Sequence, residues 1–358
     1  MAMNKWQSLQ ALRGFAALAV VAFHALAVER KYSGGDLLLP DFFILGQSGV
    51  DLFFVISGFV MVSVSTGRFG RSGETARFLW GRLSRIYPTY WFYFFLTLAV
   101  LLIKPAWVNS SQGAPVGLLS SFLLLPGDSP LVAVAWSLTH ELWFYVVFAL
   151  LLNFAEKWLL PSLLLWGAVV ATANLLLATA DLPAGLLIAL HPFTLEFIAG
   201  ALVAVFVTGE YAARFSPAMS IGALVLVAVA GFPLLHRFDL LDGFGLIRAG
   251  AVGILYGVLV LSLATLERAG RLVIPRFPSF LGDVSYTIYL SHVLVLSAIG
   301  RLWAMTDPAP ASLLDNLLVC LLMLAAVVVY GWAGYRFVEA PVLRVSHQLR
   351  SRWFDRSR

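Results

Sequence analysis

Charged residues and cysteine are scarce in this sequence. Only 12% of its 358 residues are charged, about half the share usual in soluble domains, and the lone Cys320 cannot form a disulfide or zinc framework. With 60% hydrophobic residues, this composition excludes disordered, coiled-coil and ordinary soluble globular chains. The net charge of +5 could suggest nucleic-acid binding. Basic residues between long apolar runs are more typical of membrane orientation, so we expect no nucleic-acid partner.

Long apolar runs recur along the whole chain. Each is about the 20 residues that a membrane-spanning helix needs, and none alternates with the two-residue period of a spanning strand. The sequence therefore predicts an all-α, polytopic membrane protein in which residues 1–358 form one domain that ends in a short basic tail at 342–358. The ten predicted spans are 9–28, 46–65, 86–103, 131–155, 160–178, 186–208, 217–235, 244–265, 281–303 and 313–338.

The distribution of basic residues predicts the orientation of these spans. If both termini face the cytoplasm, sixteen of the 24 Lys and Arg residues fall in inner segments, four in outer segments and four within spans. This asymmetry follows the positive-inside rule, so we expect both termini to be cytoplasmic. The inner residues are Lys5, Arg68, Arg71, Arg77, Arg82, Arg85, Lys157, Arg214, Arg268, Arg271, Arg276, Arg344, Arg350, Arg352, Arg356 and Arg358; the outer ones are Arg30, Lys31, Lys104 and Arg237.

Two ionisable side chains share one face of the first predicted helix. Arg13 and His24 are eleven residues apart, which is about three turns plus roughly 20° of rotation and about 16 Å along the axis. Ionisable groups inside spans are costly and usually mark function, and an imidazole is a common proton shuttle. His24 is therefore a candidate catalytic base. Arg13 is either part of the same site or a snorkelling anchor near the helix end.

The carboxylates Asp51 and Glu141 lie in the outer halves of their predicted helices, close in depth to His24. A carboxylate beside an imidazole fixes its tautomer and raises its basicity, as a general base requires. We therefore expect one of the two to orient His24. The alternative is that either carboxylate forms a structural ion pair with Arg248 or Arg301, since charges within a membrane generally find partners.

Basic and aromatic residues crowd the inner end of the third predicted span. Arg82 and Arg85 are three residues apart, so on a helix they point the same way and could grip a phosphate group. Tyr87 follows them in this candidate phosphate site. The competing interpretation is plain positive-inside charge. A polar lane from these arginines through Arg13 to His24 would suit a phosphate-bearing donor from the cytoplasm and an acceptor from outside.

Six segments of the chain match, in order, the motifs of one family of membrane proteins. They are LQALRG at 9–14 followed by His24 (Arg-X10-His), GVDLFFVISGF at 49–59, RLSRIYP at 82–88 (RXXR), WSLTHELWFY at 136–145 (WSLxxExxFY), LGDVSYTIYLSH at 281–292 (LGxxSYxxYLxH) and VEAP at 338–341 (VExP). Each motif alone is weak in an apolar chain, but six in the family's order are specific. Nearly from end to end, the sequence resembles the acyltransferase-3 family of integral membrane acyltransferases.

This resemblance implies O-acyl transfer, most often of an acetyl group, from cytoplasmic acyl-CoA to a hydroxyl group of a surface or exported carbohydrate. Acetyl-CoA or another acyl-CoA would be a co-substrate rather than a bound cofactor, and no metal is expected. By matching motif positions, His24 is the catalytic group, and Arg13, Arg82 and Arg85 belong to the donor side. The expected partners are a glycan or glycolipid acceptor, the bilayer of a bacterial plasma (inner) membrane, and proteins of polysaccharide biosynthesis or export. The resemblance is to the stand-alone form, without an extracytoplasmic SGNH-type domain.

In the resulting hypothesis, CoA phosphates bind Arg82 and Arg85, and His24 acts as general base on the acceptor hydroxyl, with a transient acyl-His step as an open alternative. Five further residues are expected to line the acceptor path, although aromatic residues in spans also serve packing. A polytopic transporter or flippase of a polysaccharide export system uses the same intramembrane residue types and is the competing interpretation. An export subunit without chemistry of its own is a third. The acceptor-path residues are Trp136, Ser137, Tyr286, Tyr289 and His292.

Overall fold

The computed structural model describes residues 6–33, 37–108, 116–177, 182–209, 215–306 and 312–355. In these ranges the chain is helical without strands, and β pairing is limited to an isolated bridge between Val116 and Ser129. The prediction of an all-α protein is confirmed. Four basic residues of the orientation argument, which include the end of the basic tail, lie outside the described residues: Lys5, Arg214, Arg356 and Arg358.

Ten helical segments of the described chain are long and apolar enough to cross a membrane, and each overlaps one predicted span. The prediction of a polytopic protein with about ten membrane-spanning helices is therefore confirmed. The segments are Gln7–Tyr32, Asp41–Ser65, Glu74–Ile103, Ala133–Leu151, Glu156–Leu176, Ala184–Thr208, Pro217–Arg237, Leu246–Arg268, Arg276–Met305 and Leu313–Phe354.

We number the α-helices in chain order, since several spans combine an α-helix with a short segment of other helical type. The α-helices are α1 (Gln7–Tyr32), α2 (Gly49–Ser65), α3 (Glu74–Ile103), α4 (Leu118–Leu123), α5 (Trp136–Leu151), α6 (Leu159–Leu176), α7 (Ala184–Ala189), α8 (Phe193–Thr208), α9 (Pro217–Leu226), α10 (Phe232–Arg237), α11 (Leu246–Arg268), α12 (Arg276–Met305), α13 (Leu313–Gly334) and α14 (Ala340–Arg350). A 3-10 helix at Asp41–Ser48 leads into α2. Single π turns at Val227–Gly231 and Tyr335–Glu339 join α9 to α10 and α13 to α14.

Two helices reach further than hydropathy predicts. α3 begins at Glu74 rather than near residue 86, and α14 extends the last span to Arg350. An apolar-run criterion detects only the part of a helix that matches the hydrocarbon core, whereas the backbone hydrogen bonds continue into polar segments. Arg82 and Arg85 therefore lie on α3 itself. Because ten successive spans alternate in direction, the beginning of α1 and the end of α14 lie on one side of the bundle, which we call the terminal face; the other side is the opposite face.

Glycine residues let the helices that carry the site approach one another closely, and these contacts set the helix positions. α1 packs along α12, and α2 packs along α8. A Cβ atom at Gly282 would lie 1.8 Å from the carbonyl oxygen of Gln10, and one at Gly58 would lie 1.9 Å from that of Phe197. Small residues allow such backbone contacts between membrane helices, so a larger side chain at either glycine would force the helices apart.

The start of α1 is held against the end of α11 by a carboxylate. Glu267 accepts hydrogen bonds from the backbone N–H groups of Gln7, at 2.7 Å, and Ser8, at 2.9 Å. The first N–H groups of a helix lack partners within the helix and carry partial positive charge, so a carboxylate stabilises them. This contact fixes the height of α1, and with it the height of His24, within the bundle.

Candidate active site

His24 lies on α1 against α12, where its ring contacts a second imidazole. Its Nδ1 atom is 2.9 Å from the carbonyl oxygen of Val20 and 3.2 Å from Nε2 of His292. The ring centroids of the two histidines are 4.8 Å apart. His292 is fully buried, and its Nδ1 lies 2.7 Å from the carbonyl oxygen of Tyr289. The two rings thus form a hydrogen-bonded chain that ends on the backbone of α12.

This chain assigns the proton positions of both neutral rings. A carbonyl oxygen only accepts hydrogen bonds, so Nδ1 of His292 carries its proton and Nε2 is left as an acceptor. Nδ1 of His24 then donates to Nε2 of His292 and to the carbonyl of Val20. The lone pair of His24 therefore lies on Nε2, which takes part in no hydrogen bond within the described ranges. An unprotonated imidazole nitrogen of this kind can act as a general base.

Asp51 pairs with Arg248 rather than with His24. The carboxylate is fully buried, and its two oxygens accept hydrogen bonds from Nε and Nη2 of Arg248, at 3.0 and 2.8 Å. Nη1 of Arg248 donates in addition to the carbonyl oxygens of Leu241 and Gly243. A bidentate guanidinium–carboxylate pair is stronger than one hydrogen bond to a neutral imidazole. The expectation that Asp51 orients His24 is wrong, and the structural ion pair is what the protein forms.

Glu141 of α5 lies on the arginine side of the site. Its Oε1 atom accepts hydrogen bonds from the hydroxyl groups of Ser57, at 2.9 Å, and Tyr145, at 2.5 Å. It lines a cavity with Arg13 and interacts electrostatically with that guanidinium. The contact with the His24 ring that was expected of a carboxylate is made instead by His292.

The position of His292 follows from helix register, which the sequence interpretation did not use. α1 and α12 both begin at the terminal face, and a Cβ atom at Gly14 would lie 2.9 Å from the backbone nitrogen of Gly282. His24 and His292 each follow these glycines by ten residues, or about 15 Å of helix. Both imidazoles therefore reach one height in the bundle. The sequence interpretation assigned His292 to the acceptor path, whereas helix packing puts it behind the candidate base.

An arginine-rich cavity, here called the inner chamber, lies between α1, α2, α3, α5 and α12. Arg13, Arg82 and Arg85 line it, together with Glu141 and Tyr145. The guanidinium of Arg82 lies 5.9 Å from the centroid of the Tyr145 ring, a cation–π contact. Three guanidinium groups against one carboxylate give this chamber an excess of positive charge, which favours phosphate oxygens as ligands. The chamber is narrow, with a volume of about 80 Å³.

A wider cleft leads from the terminal face into the inner chamber. The two cavities share Arg82 and Arg85, and the cleft adds Arg68, Arg77 and Arg350 to its lining. Its volume is about 720 Å³, which is large enough for a nucleotide-sized ligand. Glu74 also lines the cleft and forms ion pairs with Arg68 and Arg77, at 3.6 and 3.5 Å. Five arginines against this one carboxylate still leave the cleft with an excess of positive charge.

His24 lines two further cavities, neither of which contains Arg13, Arg82 or Arg85 in its lining. One, here called the outer chamber, has a volume of about 450 Å³ and an aromatic and imidazole lining. The other, of about 300 Å³, lies between α1 and α12 and is mostly apolar. The inner and outer chambers share Val50 and Tyr289 in their linings, so these two residues lie between them. The outer chamber is lined by Val20, Phe23, His24, Gln47, Val50, Ala133, Val134, Trp136, His140, His191, Phe193, Phe244, Arg248 and Tyr289.

Four of the remaining predicted residues line the two chambers, and Tyr87 lines neither. Trp136 lines the outer chamber, whereas Ser137 and Tyr289, joined by a 2.7 Å hydrogen bond, line the inner one at its junction with the outer. Tyr286 lines only the inner chamber of the two. The hydroxyl of Tyr87 donates to the last carbonyl of α4 over 2.8 Å, outside the arginine lining. Within the described ranges, no three His, Cys, Asp or Glu side chains are placed to share a metal ion.

Known proteins are similar to this chain over most of its length. A family model described as an acyltransferase domain matches residues 6–336. The exopolysaccharide production protein ExoZ of Rhizobium meliloti (strain 1021) is 31% identical over 84% of this chain and 91% of its own length. The acyltransferase MdmB of Streptomyces mycarofaciens is 27% identical, with 94% and 92% covered. A putative acetyltransferase, ORF330, of the Acidianus two-tailed virus is 24% identical, with 81% and 83% covered.

No solved structure matches the chain. The region matched by the family model contains His24, His292, both chambers and five of the six motifs, and the sixth motif follows at 338–341. Two independent comparisons, one with a family model and one with curated relatives, thus agree with the motifs in the sequence. This multi-pass membrane protein therefore belongs to the acyltransferase-3 family.

Proposed function

We propose that this acyltransferase moves an acetyl group from acetyl-CoA to a hydroxyl group of a surface or exported polysaccharide, in the plasma membrane of a bacterium. One observation carries the proposal: His24, with an unprotonated Nε2, lines the outer chamber, which shares Val50 and Tyr289 with the arginine-rich inner chamber. The donor is anionic and the acceptor is rich in hydroxyl groups. The arginine-rich chamber suits the anionic donor, and the aromatic chamber suits the hydroxyl-rich acceptor. His24 can then act as the base for transfer from one to the other.

The basic cleft and the inner chamber support an acyl-CoA donor. The nucleotide end of CoA carries phosphate groups, for which Arg82 and Arg85 supply guanidinium donors one helical turn apart. The inner chamber is too narrow for a nucleotide but suits the slender pantetheine arm. Arg13 and His24 are about 16 Å apart along α1, a distance that an extended arm bridges. In this proposal the terminal face is cytoplasmic, as the positive-inside distribution of the basic residues favours.

The proposed chemistry is a direct transfer. Nε2 of His24 takes the proton of the acceptor hydroxyl while the hydroxyl oxygen attacks the thioester carbonyl carbon. The tetrahedral intermediate then collapses, the C–S bond breaks, and the CoA thiolate takes the proton from His24. Nε2 of His292 accepts the hydrogen bond from Nδ1 of His24 throughout, which holds the reactive tautomer and stabilises the imidazolium that forms.

A carbohydrate acceptor is supported by the names of the relatives. The relative at 31% identity is an exopolysaccharide production protein, and another is a putative acetyltransferase. A membrane enzyme that acts on such an acceptor would operate beside the proteins that build or export the polysaccharide.

The proposal is tested by release of free CoA thiol from purified protein in detergent or nanodiscs. The reaction contains acetyl-CoA and alkali-deacetylated surface polysaccharide from cells that carry this gene. We expect thiol release that requires both substrates and disappears in a folded His24→Ala variant. His236→Ala, at the exposed end of α10, is the matched control and should retain full activity. Normal turnover by His24→Ala would refute the assignment, and glycan transport into vesicles without acetyl-CoA would support a flippase instead.

A further inference from the structure

Two histidines in the outer chamber have unused hydrogen-bonding groups. The rings of His140 on α5 and His191, which precedes α8, are 4.5 Å apart. Nδ1 of His191 accepts from the backbone N–H of Phe193 at 3.3 Å, so its proton lies on Nε2. His140 is only 6% exposed, and its Nδ1 has no hydrogen-bond partner among the described residues. Neither Nε2 atom forms a hydrogen bond within those residues. Buried polar groups nearly always have partners, so this pair is suited to a ligand.

The two imidazoles lie on a route from the opposite face to His24. Both line the outer chamber, and both also line a second cavity of about 460 Å³ formed with the segment 124–130 and α7. The two cavities share Trp136 as well. A molecule that moved from the opposite face toward His24 by this route would therefore pass His140 and His191.

The wall beside these histidines is aromatic and carries little net charge. The rings of Trp136 and Phe193 are stacked, with centroids 5.6 Å apart and planes at 26°, and Phe244 lies 5.5 Å from Phe193. The C–H face of a sugar ring packs well on such a surface. Arg248 also lines the chamber, but its charge is balanced by the buried carboxylate of Asp51. The lining therefore favours a neutral, hydroxyl-rich ring over an anion, in contrast to the inner chamber.

We propose that this part of the outer chamber binds the sugar ring whose hydroxyl group receives the acyl group. In this assignment the accessible parts of Trp136 and Phe244, backed by the buried ring of Phe193, pack on a neutral pyranose. The imidazoles of His140 and His191 bind its hydroxyl groups and thereby select the acceptor. The inference rests on the proposed function, because it takes the acceptor to be a carbohydrate. The residues of this sugar subsite are Trp136, His140, Phe193, His191 and Phe244.

The kinetic test varies the acceptor and the donor separately. The probe is the alkali-deacetylated oligosaccharide repeat from the surface polysaccharide of cells that carry this gene. We expect His140→Ala and His191→Ala each to raise the acceptor KM about tenfold or more, because each loses a hydrogen bond to the sugar, with the acetyl-CoA KM unchanged. In His140→Gln the side-chain amide supplies a donor and an acceptor in place of the imidazole, so the acceptor KM should rise less than in His140→Ala. Phe244→Ala should also raise the acceptor KM, whereas Phe238→Ala, a more exposed phenylalanine of the same segment, should not.

Direct binding separates this inference from the proposed function. Binding of the same oligosaccharide is measured by saturation-transfer NMR in the His24→Ala background, with and without His140→Ala. Weaker binding in the double variant supports the subsite, even if the wild-type protein releases no CoA thiol, in which case only the proposed function falls. Wild-type turnover with unchanged acceptor KM in the histidine variants overturns the subsite alone. The absence of oligosaccharide binding by the His24→Ala protein also overturns it.

Discussion

Replacing His292 by leucine tests the hydrogen-bonded chain behind the candidate base. His292 is fully buried, and the substitution removes the acceptor that lies 3.2 Å from Nδ1 of His24. The carbonyl of Val20 remains as a partner at 2.9 Å, so the reactive tautomer persists, but the imidazolium that forms during the reaction loses a charge-assisted hydrogen bond. Such a bond contributes about 1.5–3 kcal/mol. We therefore expect kcat to fall by about tenfold to about a hundredfold.

His292→Gln is the conservative counterpart of this variant. The side-chain carbonyl of glutamine can accept the hydrogen bond from Nδ1 of His24, so most of the lost kcat should return. The acetyl-CoA KM should stay unchanged in both variants, because the arginine lining of the inner chamber is untouched. Turnover is followed by release of CoA thiol, at equal amounts of folded protein as judged by size-exclusion chromatography and thermal unfolding. His236→Leu, at the exposed end of α10, controls for loss of an imidazole elsewhere.

Two results would refute this reasoning. The first is a folded His292→Leu protein with wild-type kcat, which would mean that His24 needs no partner on α12. The second is a His292→Gln protein that is no faster than the leucine variant, which would mean that the effect comes from packing rather than from the hydrogen bond.

Two further substitutions test the charged groups. Arg85→Gln should raise the acetyl-CoA KM about tenfold or more while kcat changes little, because it removes one charged donor to phosphate; the thiol assay measures this, and an unchanged KM would exclude Arg85 from the donor site. Asp51→Asn removes the carboxylate that accepts two hydrogen bonds from the buried guanidinium of Arg248 and should lower the free energy of unfolding by about 3–5 kcal/mol. The variant should therefore unfold at a lower temperature in detergent, and wild-type thermal stability would show that this ion pair contributes little.

Because this chain inserts into a membrane, the positions of its helices along the sequence are easy to predict. Apolar runs give the spans directly, because a helix that crosses lipid must be about 20 apolar residues long. The same criterion missed the first turns of α3, since the segment from Glu74 to Arg85 is interrupted by charged and polar residues. Arg82 and Arg85 line the same cavity. Their shared direction was predictable, because side chains three residues apart lie on one face of a helix.

The partners of His24 could not be predicted in the same way. Sequence position gives the height of a residue in the membrane but not the neighbouring helix that its face meets. The sequence predicts Asp51 and Glu141 near the height of His24, but helix packing decides which residue meets its ring. The close contact of α2 with α8 and α11 takes Asp51 to Arg248, whereas the glycine contacts between α1 and α12 bring His292 to His24. The glycines that allow such close helix contacts are visible in the sequence, but which glycine faces which helix is known only from the folded structure.

The small volume of the inner chamber bears on how such a protein can exist in an energised bilayer. The inner chamber, which Ser137 and Tyr289 line, measures about 80 Å³, against about 720 Å³ in the cleft and about 450 Å³ in the outer chamber. A catalyst that serves two aqueous compartments must not become a leak for salt or protons. A chamber of this size leaves little room for water or ions beside one slim chain. In the orientation proposed above, the chemical energy of a thioester made inside the cell reaches an exterior alcohol without a carrier cycle and without discharge of the ion gradient.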